Sequence, residues 1–164
     1  MAIWQVTFYL VPRAAIEKLD GTSALVIGAF RPAGFDPYDE NAELPNYWEG
    51  QSPKSHEDSV AALLPPRTSW SADALMFGDE QGDGIELWDD DFRVRLDIRQ
   101  FNEPLARAVV SLAANADLKL VMGETGRLVS PEYANLAKEI SQSRALKFAL
   151  DPVGTLRMIG RDQE

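Results

Sequence analysis

Three arginines, Arg93, Arg95 and Arg99, lie within the run Phe92-Arg93-Val94-Arg95-Leu96-Asp97-Ile98-Arg99. On an extended strand, residues two apart point to the same side at a spacing of roughly 7 Å. Planar guanidinium groups held that way match the oxygens of a phosphate or a carboxylate. Arg93, Arg95 and Arg99 are therefore candidate anion-binding residues. Asp97 shares their face, and a strongly acidic segment precedes them, so internal ion pairing is the competing use. Pairing is the preferred expectation, because the acidic segment has few other cations to balance it.

Other chemistry finds less support. His56 is the only histidine. It sits in the first turn of an expected helix, whose positive end disfavours imidazolium. No G-x-S-x-G elbow supplies a nucleophile for it. Asp79, Gln81, Asp83, Gly84 and Asp90 fall at calcium-loop positions, but the last acid is not the usual Glu and the flanks read as strands. A Gly- and Asp-rich hairpin turn is the simpler reading. Asp89, Asp90 and Asp91 are adjacent, with nothing to hold two carboxylates across a cleft. The run Gly123-Glu124-Thr125-Gly126-Arg127 lacks the ending of a phosphate loop. The absence of cysteine excludes disulfides and thiolate chemistry. No catalytic residue, metal site or cofactor is expected. Whether the chain has any activity stays open, with a non-catalytic role favoured.

The formal net charge of the 164 residues is −10, and it is unevenly spread. Positions 36–91 hold fifteen acids and two bases, whereas the flanks are close to neutral. Such a field repels nucleic acid and anionic lipid and suits a basic protein partner. A solvated surface that keeps the chain soluble is the alternative. The stretch 31–54 is interrupted by Pro32, Pro37, Pro45 and Pro53 and reads as a long acidic loop. Asp36, Asp39, Glu40, Glu43, Tyr47, Trp48 and Glu49 within it are the candidate partner-binding residues. Its aromatics either pin the loop to the body or serve as exposed anchors; the candidate surface takes them as anchors.

Hydrophobic periodicity supplies the frame. Trp4 to Val11 reads as a strand, Arg13 to Leu19 as a short helix and Ala24 to Phe30 as a second strand. Ser55 to Leu64 reads as a helix with Ser55 and Asp58 as its capping box. Residues 70–99 read as a three-strand meander. A helix over 104–116, a strand over 118–121 and a helix capped by Ser130 follow. The expectation is one α+β domain over 1–164, with a mostly antiparallel sheet and helices packed on one face. The N-terminus lacks a secretory pattern, and no run is long enough to span a membrane, so a cytoplasmic location is expected.

Ser69-Trp70, Gly78-Asp79, Ile85-Glu86-Leu87-Trp88, Arg95-Leu96-Asp97-Ile98-Arg99, Ser143-Arg144-Ala145 with Phe148, and Asp151-Pro152 together resemble a family of small uncharacterised bacterial proteins. The likeness spans Trp70 to the C-terminus and implies a shared fold without a reaction. Leu44-Pro45-Asn46-Tyr47-Trp48 and the run Gly78 to Leu87 also resemble the SUKH group of immunity proteins, although the helix order differs. That resemblance implies a toxin-neutralising interaction protein.

Overall fold

Strict alternation over Phe92–Asp97 produces a strand with one dry and one wet face, and that strand organises the sheet. The computed structural model describes residues 2–30 and 45–161. Its strands are β1 Gln5–Pro12, β2 Pro66–Arg67, β3 Leu75–Gly78, β4 Gly84–Leu87, β5 Phe92–Asp97, β6 Leu118–Met122 and β7 Leu128–Val129. All pair antiparallel in the order β2-β3-β4-β5-β1-β6-β7. The helices are α1 Arg13–Leu19, α2 Glu57–Ala61, α3 Glu103–Asn115, α4 Tyr133–Gln142, α5 Arg144–Leu150 and α6 Pro152–Arg161. The result is an α+β fold.

The main core lies on one sheet face. Val6, Phe8 and Leu10 of β1, Ile85 and Leu87 of β4, and Phe92, Val94 and Leu96 of β5 are all buried there. Helix α3 covers them with Leu105, Val109 and Ala113, and α4 adds Leu136 and Ile140. The Asn102 side chain caps α3 by accepting the Leu105 N–H at 3.1 Å. The opposite face differs along its length. At its β1–β6 end a small apolar cluster forms from Val11, Ile16, Ile27, Tyr47 and Val121, so the short α1 lies on this second face. Towards β4 and β5 the same face is charged.

Several local expectations change. Residues 24–30 do not form a strand: Val26 makes one isolated bridge with Arg127, and Gly28–Phe30 is a 3-10 turn. Ile27 is drawn into the second cluster, which turns the chain inward. The α2 region begins with a 3-10 turn over Pro53–His56, and Ser52 rather than Ser55 caps it, accepting the Lys54 N–H at 3.2 Å. The expected loop over 31–54 thus ends earlier. Ser130 does not cap α4; its hydroxyl instead accepts from Lys119 Nζ at 3.3 Å. No helix among the described residues is long and apolar enough to cross a membrane.

Candidate functional site

Sheet register builds the charged surface. Arg67 faces Met76, Met76 faces Glu86, Glu86 faces Arg93, and Arg93 faces Tyr9, so one cross-strand row runs from β2 to β1. Directly opposed side chains in such a row lie close enough to interact. Glu86 is the hub. Its Oε2 is 3.6 Å from Arg93 Nη1, and its Oε1 is 3.3 Å from Arg95 Nη2 and 4.0 Å from Arg67 Nη2. Arg95 belongs to the next row, facing Gly84. A Cβ on Gly84 would come within 2.8 Å of Arg95 Nη2, so glycine leaves the space through which this guanidinium reaches Glu86.

Asp91 is the second carboxylate of the cluster, accepting from Arg93 Nη2 at 3.0 Å. Burial raises its pKa to about 6 and outweighs the pull of Arg93. Three guanidiniums thus share two carboxylates. Arg67 Nε, Arg93 Nε, Arg95 Nε and Arg95 Nη2 are buried without a hydrogen-bond acceptor. Arg95 Nη2 is near Glu86 in distance but off-axis for a hydrogen bond.

The three predicted anion-binding arginines do not converge on one place. Arg99 leaves the strand and sits in the 3-10 turn Ile98–Gln100, outside the row. Its Nε and Nη2 donate to Asp97 Oδ1 and Oδ2 at 3.0 and 2.7 Å, and its guanidinium lies 4.2 Å from the centre of the Trp4 ring. That pairing holds the Asp97 carboxyl below its ordinary range. Arg93 is engaged by Glu86 and Asp91, and Arg95 by Glu86. Internal pairing is what the arginine strand does, and Arg67 is a member that alternation along β5 alone could not reveal. Its position follows only from the pairing of β2 with β3.

The predicted partner-binding residues divide. Asp36, Asp39, Glu40 and Glu43 lie outside the described residues. Glu49 is exposed. Tyr47 and Trp48 are 4% and 2% exposed and cannot serve as surface anchors. Aromatic side chains of that size gain most by burial, and both have partners. The Tyr47 hydroxyl donates to Asp20 Oδ2 at 2.7 Å, and its ring lies 5.5 Å from Phe30. Trp48 packs 5.8 Å from His56 and 6.3 Å from Phe92. His56 is therefore part of an aromatic cluster, where burial lowers its pKa. It belongs to the packing of α2 against β5.

The exposed aromatics lie elsewhere. Trp70 is 71% exposed, and its ring centre is 5.4 Å from that of Trp88 at a tilt of 58°. Asp79 closes the β3–β4 hairpin: its Oδ1 accepts the N–H groups of Gln81 and Gly82 at 2.7 and 3.0 Å, an Asx turn. No group of three or more His, Cys, Asp or Glu among the described residues is arranged to hold a metal. A cleft of about 380 Å³ separates the start of β1 from the β6–β7 turn and the α4–α5 junction. Two ion pairs line it, Arg127–Glu139 and Arg144–Glu124, both at 3.2 Å. Compared with known families, curated proteins and solved structures, the chain matches none.

Proposed function

We propose that this chain is a non-catalytic interaction module whose acidic surface binds a basic protein, as an immunity protein binds a toxin. The observation that carries the reading is how the charge is used. Arg13, Arg67, Arg93, Arg95, Arg99, Arg107, Arg127 and Arg144 all stand in ion pairs within the chain. Glu86, Asp91 and Asp97 are neutralised in this way. Glu49, Glu57, Asp58, Asp73, Asp79, Glu80 and Asp90 are exposed and form no ion pair among the described residues. Lys54 is paired as well, with Asp89, while Lys18, Lys138 and Lys147 are exposed without an ion pair among the described residues, so exposed unpaired carboxylates outnumber exposed unpaired cations and the surface is net negative. Such a surface steers a cationic partner and fixes its orientation. The resemblance to SUKH-type immunity proteins points the same way.

The products of reading frames adjacent to the gene supply the test. Each is purified and titrated against the chain by calorimetry. A basic product is expected to bind, with affinity falling about tenfold or more from low to high salt, and the chain is expected to protect cells that produce it. Failure of every basic product to bind, or binding insensitive to salt, overturns the reading.

A further inference from the structure

The fold buries the aromatics of the predicted interface and leaves another pair at the surface. We infer that Trp70 and Trp88 form the anchor of the proposed interface and receive a lysine or arginine side chain of the partner. This assignment rests on the acidic-surface reading and gives it a location.

Exposed tryptophan pairs are uncommon because an indole loses much favourable burial in water. This pair is held in place on both sides. Trp88 lies half-buried at the end of β4, and its indole N–H donates to Glu86 Oε2 at 3.2 Å. The Glu86 hub thus fixes one ring. The loop bearing Trp70 is turned by its serines. The Ser69 hydroxyl donates to the Ser71 carbonyl at 2.6 Å and accepts the Ser71 N–H at 3.1 Å, and the Ser71 hydroxyl accepts the Asp73 N–H at 3.1 Å. Rings positioned before binding lose little entropy when a partner arrives.

Charge selects the occupant. Trp88 is followed directly by Asp89 and Asp90, and Asp73 lies in the loop of Trp70. All three carboxylates are exposed; Asp89 is paired with Lys54, and Asp73 and Asp90 form no ion pair among the described residues, so these two carry the local negative charge. The nearby cations are engaged: Lys54 Nζ donates to Asp89 Oδ1 at 2.7 Å, and Arg67 belongs to the Glu86 cluster. Indole faces attract cations through the ring quadrupole, and flanking carboxylates add Coulombic attraction. The same carboxylates disfavour a nucleic-acid base, whose phosphates they repel. Tryptophan is also the residue most enriched among energetic centres of interfaces.

Indole N–H resonances of the ¹⁵N-labelled chain report on the site directly. The probe is a peptide of alternating glycine and arginine at low salt, with a glycine–glutamate peptide as control. The arginine peptide is expected to shift the Trp70 and Trp88 signals while the buried Trp48 signal stays in place. Trp70→Ala is expected to weaken binding about fivefold with an unchanged melting temperature, since the ring is largely in water. Binding of the arginine peptide with still Trp70 and Trp88 signals and full affinity in Trp70→Ala overturns the anchor and leaves the acidic surface standing. No binding at any accessible concentration overturns both. Movement of the two signals by a neutral oligosaccharide and not by the arginine peptide also overturns the assignment, in favour of a sugar platform.

Discussion

The two faces of the sheet solve the burial problem in different ways. Behind β1, β4 and β5 one face is closed by Phe8, Leu10, Leu87, Phe92 and Val94 against α3 and α4. Its energy comes from removing apolar area from water, which is non-directional and tolerant. The other face buries Glu86 among Arg67, Arg93 and Arg95. There each partner is affordable only while the others remain, because a desolvated charge without its counter-charge is costly. The first face sets how stable the fold is. The second sets which side chains stay fixed, Trp88 among them.

Substitution can break this contrast. Phe8→Ala removes a fully buried ring from the central strand and is expected to cost about 4–5 kcal/mol in chemical unfolding. Glu86→Gln keeps the shape and removes the charge, leaving Arg67 and Arg95 without a carboxylate partner among the described residues and Arg93 with Asp91 alone. A loss of about 3–4 kcal/mol is expected, with looser order at Trp88 seen in its indole resonance. A loss below about 1 kcal/mol would show that the charged face is no more than a solvated surface.

The pH profile sharpens the contrast further. The folded pKa of Asp91, about 6, lies above the ordinary 3.8. The folded state therefore holds its proton more tightly than the unfolded chain does. Stability from this group is complete below about pH 4 and is lost as pH rises towards 6. Relative to Asp91→Asn, the parent chain is expected to lose at most about 3 kcal/mol across that window and to change little above it. Equilibrium unfolding of both chains at several pH values checks the sign.

The apolar face was largely legible from the amino acids. The alternation of Phe92, Val94 and Leu96 with Arg93, Arg95 and Asp97 is a local property, and local pattern sets a strand's faces. The spacing of Leu105, Val109 and Leu112 announced α3 for the same reason. The charged face was legible only in part. That the arginines would pair internally followed from charge balance, but which carboxylate would collect them depends on register between strands, and Arg67 arrives from a strand of two residues. Tyr47 and Trp48 were misplaced because their polar surroundings in sequence say nothing of the Asp20, His56 and Phe92 that meet them in space. The exposed pair was hidden for the converse reason: Trp70 and Trp88 are eighteen positions apart and meet only through the sheet.

Both outermost strands are two residues long, and β2 begins with Pro66, which has no amide proton to offer. On the other side the Leu128 N–H is already taken by the Leu25 carbonyl at 2.9 Å. Among the described residues, neither border presents a long ladder for a further strand to extend, which guards the sheet against edge-to-edge stacking into fibrils. A partner that meets the sheet at these borders finds little backbone to pair with and meets side chains instead.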